Sequence, residues 1–182
     1  LVFNAVVIAM PKLFDERVGA LAATPLGIGA LLCVVYVIGA TSQWIIGRLV
    51  DRHTLRRIFI PLSLLQAPCL FLAASAENGA LVAVAVVAMF AIFGQVTIND
   101  TMVAKYTDQA WRARAYAIRY LVSFAASAAA VPLVAGLHDR TGGFETVFLV
   151  LAVGGAAIFL SALAFPHRPD EVEGKLAVAA AE

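Results

Sequence analysis

Apolar residues run along this chain in long unbroken blocks, separated by short polar segments that gather most of the arginines. Five blocks stand out, at about Pro25–Ile46, Ile58–Ala74, Gly79–Ile98, Tyr116–Gly136 and Glu145–Phe165. Each is long enough for a membrane-spanning helix, which needs roughly 20 apolar residues. A sixth block, about 1–10 (Leu1–Met10), is too short to span and reads as the tail of a helix that starts upstream, which would make the chain a fragment. It has neither a basic leader nor a small-residue cleavage site, so it is not a signal peptide. The blocks are too long and too uniformly apolar for barrel strands, which alternate.

Boundary chemistry agrees with helices. Thr24-Pro25 supplies an N-cap followed by proline at the first helical position. Asp108 is placed to cap the helix that leads into the fifth block. Gly79 and Gly142-Gly143 fall where tight turns are needed. Pro61, Pro68 and Pro132 lie inside blocks, where neighbouring helices can satisfy the carbonyls that proline leaves without an N–H. Composition sharpens the picture: 62% of residues are hydrophobic and 14% charged, against about 45–50% and about 25% in soluble domains. A core of this size could not hide that excess, so lipid must solvate it.

The net charge of +1 gives no case for a nucleic-acid partner; the distribution of charge is what informs. Ten of the 13 basic residues fall in the second connection (Gly47–Arg57), the fourth (Asn99–Ala115, with Arg119 just beyond) and the tail. The first, third and fifth connections hold only Lys12, Arg17 and Arg140. The excess of Lys and Arg predicts that the even connections and the C-terminus lie in the cytoplasm. The tail, 169–182, is polar and then alanine-rich, and is expected to be disordered. Trp44, Tyr106, Trp111 and Tyr116 fall at the same boundary and read as an aromatic belt.

Polar residues inside spans are costly in lipid and therefore informative. Tyr116, Tyr120, Ser123 and Ser127 recur at i, i+4, i+7 and i+11 on one helix face, with Arg119 beside it. Tyr36, Gly39 and Gln43 share a face of the first full span. Gln95 and Asn99 share one on the third, and Asn4 lies in the partial helix. Two readings stay open. Small and polar residues can serve helix–helix packing, or they can line a water-accessible cavity near the midplane. Asp100 is the acid closest to a span interior, with Arg112 and Arg114 as possible ion-pair partners. Cys33 and Cys69 sit in separate apolar blocks and are expected to be buried, reduced thiols without metal-ligand spacing. His53, His138 and His167 form no constellation, and neither a nucleophile elbow nor a zinc-protease motif occurs, so no metal, cofactor or enzymatic activity is expected.

The most specific stretch is Gly47-Arg48-Leu49-Val50-Asp51-Arg52-His53-Thr54-Leu55-Arg56-Arg57. An ordinary positive-inside loop explains its arginines but not its Gly-x-x-x-Asp-Arg spacing. It resembles the loop signature of the major facilitator superfamily, Gly-x-Leu-x-Asp-Arg-x-Gly-Arg-Arg, with Thr54 and Leu55 departing from it as the weaker copy between helices 8 and 9 does. The resemblance implies an all-α integral membrane fold, the six-helix C-terminal half (helices 7–12) of a twelve-helix transporter, facing an N-terminal half. It implies alternating access and a cytoplasmic latch formed by Gly47, Asp51, Arg52, Arg56 and Arg57. It also implies that helices 7, 8, 10 and 11 line the cavity, which makes Asn4, Tyr36, Gln43, Gln95, Asn99, Arg119, Tyr120, Ser123 and Ser127 the candidate cavity residues. The expected partners are a small organic solute, protons and the bilayer. The expected setting is a bacterial inner membrane, with proton-coupled efflux favoured. Uptake of a nutrient or organic anion bound by Arg119 is the alternative, and a six-helix membrane protein that transports nothing is a third.

Overall fold

A computed structural model describes residues 1–19 and 24–165 of the chain; the tail at 169–182 lies outside the described residues. Six helices follow one another: α1 (Val2–Arg17), α2 (Pro25–Arg52), α3 (Leu55–Ala73), α4 (Asn78–Tyr106), α5 (Arg112–Thr141) and α6 (Glu145–Leu163). The last five are long and apolar enough to cross a membrane. At about 1.5 Å per residue, even the 19 residues of α3 and of α6 come close to a hydrocarbon core roughly 30 Å thick.

The helices alternate in direction, as contacts at the two ends of the bundle show. At one end the Lys105 ammonium donates to the Val50 carbonyl at 3.1 Å and Arg56 donates to the Leu163 carbonyl at 2.8 Å. These cations meet the last carbonyls of α2 and α6, where the helix dipoles are negative and the orphan acceptors need donors. At the other end Arg17 donates to the Ala74 carbonyl at 2.5 Å and His138 to Glu16 at 3.1 Å. The α2–α3 and α4–α5 connections, which carry most of the arginines, therefore share one end of the bundle.

Packing pairs α2 with α4, α3 with α6, and α3 with α4. In lipid the apolar effect does not separate helix from solvent, so close approach of backbones decides which faces meet. Gly39 of α2 makes such an approach: a Cβ there would lie 3.1 Å from Met89 Cβ. Gly155 of α6 does the same on α3, where a Cβ would stand 3.2 Å from Ala67 Cα. The larger core joins Phe14, Leu70, Leu81, Phe148 and Leu151 towards the end with fewer arginines, and a smaller one gathers Ile46, Leu55, Phe59, Leu62 and Ile98 at the basic end. In contrast, α5 buries only Ala130 and Val134.

Several ends differ from the sequence reading, for one reason. Apolarity ends at the membrane surface, but backbone hydrogen bonding does not. Helix α2 continues through Gly47 to Arg52 because Ile46 and Val50 remain buried on one face. Gly47 is therefore helical, not a turn residue, and the turn reduces to His53 and Thr54. Likewise α4 carries Asn99 and Asp100 inside the helix and ends at Tyr106, whose ring meets Phe165 edge-on at 5.1 Å. Helix α1 runs past Pro11 to Arg17, since Leu13 and Phe14 are fully buried. At the third turn Asn78 takes the positive φ of 47° instead of Gly79, a conformation asparagine tolerates. Asp108 contributes its backbone carbonyl to Trp111 at 3.0 Å, and no side chain caps α5. The Thr24 cap forms, with the Gly27 N–H donating to its hydroxyl at 3.2 Å and Pro25 following. Gly142 closes α5 at a φ of 73°, the left-handed cap glycine adopts without strain.

Candidate functional site

The aromatic rings of Phe3 on α1, Tyr36 on α2 and Phe93 on α4 meet beside a largely apolar groove. Pro11 is the residue that organises it. Proline has no N–H, so it cannot complete the helical bond to the carbonyl four residues earlier, which is Val7. The Tyr36 hydroxyl supplies the missing donor at 3.1 Å, tying α2 to α1 at the point where α1 is interrupted. The Tyr36 ring then faces Phe93 of α4 at 6.4 Å, and Phe3 meets Phe93 edge-on at 5.3 Å. Gly29, Leu32, Cys33, Val37 and Ala40 complete an open groove of about 580 Å³ with Tyr36 and Phe93. Asn4, next to Phe3, is half-buried; Gln43, two turns along α2 from Tyr36, is half-buried too.

A second set joins α4 to α5 near the basic end. The Arg119 guanidinium pairs with the Asp100 carboxylate, and the Tyr116 hydroxyl donates to the Asp100 backbone carbonyl at 2.9 Å. Tyr116 and Tyr120 stack at 6.1 Å, and the Arg119 guanidinium lies 5.7 Å from the Tyr120 ring. Ser127 is half-buried and Ser123 exposed on the same helix. The partner of Asp100 is thus Arg119, not Arg112 or Arg114. Arg112 turns back to the Thr107 carbonyl at 3.5 Å and Arg114 lies over the Trp111 ring at 4.7 Å. Both belong to the first turn of α5, while Arg119 sits two turns further in, at the level of Asp100.

Gln95 goes elsewhere. Its amide donates to the Gln66 carbonyl oxygen of α3 at 2.6 Å, and both side chains are buried. Gln95 is therefore part of the α3–α4 interface, whereas Asn99 one turn later is exposed. Helical periodicity puts the two within about 40° of each other, which is enough to separate a packed face from an open one. At the basic hairpin Arg56 is held by the α6 terminus, while Asp51, Arg52 and Arg57 are exposed. Among the described residues no ion pair involves those three. Sequence reading missed Phe93 and Phe3, because aromatics inside apolar blocks look like core, and Gln66, whose partner Gln95 lies 29 residues away on α4.

A bundle of long apolar helices, with an open groove on one side and its basic connections at one end, has the form of an integral membrane protein. The family model for the Major Facilitator Superfamily matches residues 1–181, and the chain belongs to that superfamily. The six helices match one half-domain of its fold, and membership supports a role in membrane transport. No curated protein matches the chain, and no solved structure does.

Proposed function

We propose that the chain forms the C-terminal half of a proton-coupled secondary transporter that exports a small organic solute by alternating access. The observation that carries this reading is the unequal covering of the helices. The outward side of α2 is an open groove and most of α5 is uncovered, while α3 packs closely on both α4 and α6. Intramembrane polar groups left facing such an opening are the usual mark of a solute path. On this reading the opening faces a second six-helix half, with Asn4, Tyr36, Gln43, Asn99, Tyr120, Ser123 and Ser127 lining the solute path between them. Asp51 and Arg52, exposed at the basic end, are available to that half. Their charge pairs would form in one state and break in the other, as a bistable interface requires. The basic end then faces the cytoplasm of a bacterial cell.

The ion pair of Arg119 favours a neutral or cationic solute over an organic anion. Asp100 already neutralises the guanidinium, so an anion would have to displace a tethered carboxylate. The deciding experiment uses the intact protein in proteoliposomes with a pH dye inside and an imposed proton gradient. Export by antiport predicts proton movement opposite to solute, dependent on both. Proton movement in the same direction as an organic anion would instead establish symport. Solute movement unaffected by the gradient would overturn proton coupling.

A further inference from the structure

Where α2 turns into α3, the two helices leave a crevice of about 290 Å³. Its walls are aliphatic, with Leu49 of α2 facing Pro61, Leu62 and Leu65 of α3. Leu49 and Leu65 are 39% and 40% exposed, so the crevice opens sideways from the bundle. Its mouth carries two basic side chains, Arg57 and His53. Of the neighbouring arginines, Arg48 stacks on Trp44 at 3.8 Å and Arg56 holds the Leu163 carbonyl, while Arg52 is exposed and does not line the crevice. Among the described residues no carboxylate reaches Arg57. Pro61 has no N–H for the Arg57 carbonyl four residues earlier, which leaves an acceptor at the same mouth. His53 donates its Nδ1–H to the Leu49 carbonyl at 3.4 Å, so Nε2 donates to an anion when the ring is the imidazolium, in which both nitrogens carry hydrogen. Trp44, 62% exposed about one turn before Arg48, marks the headgroup level where tryptophan gathers.

We infer that this crevice binds one acidic phospholipid of the phosphatidylglycerol type. Its phosphate sits on the Arg57 guanidinium beside His53. A headgroup hydroxyl donates to the Arg57 carbonyl, and an acyl chain lies along Leu49, Pro61 and Leu65. Charge complementarity selects this occupant: an anion is needed at the mouth and an alkyl chain within, in that order along the membrane normal. An apolar helix packed here would bury the Arg57 charge without a counter-ion, which is strongly unfavourable. Basic pockets between membrane helices take anionic headgroups for the same reason.

The test measures lipid retained by the intact protein in neutral detergent, by native mass spectrometry, with phosphatidylglycerol, phosphatidylcholine and inorganic phosphate as probes. The wild type is expected to retain phosphatidylglycerol over phosphatidylcholine by about fivefold, the worth of one basic residue at an anionic membrane surface. R57Q is expected to abolish that preference. L49W, which fills the slot, is expected to reduce retention of both lipids, and excess inorganic phosphate is expected not to displace the acidic lipid. Both substituted side chains are exposed, and unchanged elution volume and helicity verify that each variant folds. Equal retention of the two lipids by the wild type, an unchanged preference in R57Q, or unchanged retention in L49W overturns the inference. Complete displacement by phosphate would assign an anion site without the acyl slot. A photo-crosslinker at Leu65 that captures protein instead of lipid would assign the crevice to the opposite half.

Discussion

Replacing Gln95 by methionine keeps the side-chain volume and removes the amide, so it isolates one bond in the α3–α4 interface. The structure gives both ends of that bond: a 2.6 Å contact to Gln66, with 6% of Gln95 and 1% of Gln66 exposed. The loss has two parts. An interhelical hydrogen bond in a membrane protein is worth about 0.6–2 kcal/mol. The Gln66 amide, left buried without a partner, adds a penalty of about 1–3 kcal/mol. The two overlap, because the penalty already counts part of the lost bond, so Q95M is expected to destabilise the bundle by about 1–3 kcal/mol. Q66M is expected to do the same. The double variant removes the orphan and should recover to within about 1 kcal/mol of wild type, since replacing both partners by apolar groups is nearly neutral. Reversible unfolding in mixed detergent micelles measures the cycle, and solute KM is measured in parallel. Because Gln95 faces α3, KM is expected to stay unchanged. A raised KM with unaltered stability in Q95M, or additive losses in the double variant, would refute the assignment.

Tyr36→Phe removes the donor that replaces the missing Pro11 N–H, leaving the Val7 carbonyl without it; a loss of about 1 kcal/mol and easier separation of α1 from α2 are expected, read by crosslinking across that contact. Asp51→Asn is expected to reduce transport severalfold at normal expression, because Asp51 is exposed and supports no core; wild-type turnover would remove it from any latch. Arg119→Gln is expected to leave stability nearly unchanged, since Asp100 is 42% exposed and pairs of this kind contribute roughly 0–1 kcal/mol. Transport should fall in that variant and recover in part when Asp100→Asn is added, which a purely structural pair would not produce.

The number and order of spans were legible because lipid imposes a long, uniform apolar run on each, and turns cannot interrupt it. Helix ends were less so: nothing in the composition of Gly47–Arg52 or Asn99–Tyr106 says that one face stays packed after apolarity ceases. The Thr24 cap and the Gly142 stop were readable since both depend on local chemistry. Pairings between helices were not. Arg112 and Arg114 are nearer to Asp100 in sequence than Arg119 is, yet the antiparallel α4–α5 hairpin sets Arg119 level with it. Gln95 could be placed on a helix face but not against Gln66, which lies 29 residues away on α3. Tyr36 was singled out as an intramembrane hydroxyl; its bond depends on Pro11 lying within a helix, and the apolar block had ended at Met10.

The central claim, that the groove beside Tyr36 and Phe93 belongs to a water-filled solute path, can be tested with a native probe. Contrary to the expectation that both thiols are buried, Cys33 is exposed, because its face of α2 lines the groove, and only Cys69 is buried. Thiol reagents attack the thiolate, which forms where water reaches the sulfur. With Cys69 replaced by alanine in the intact protein, a charged, membrane-impermeant thiol reagent is expected to modify Cys33, and transported solute is expected to slow that reaction. Modification by lipid-soluble reagents alone, with no protection by solute, would place Cys33 against lipid and contradict the account.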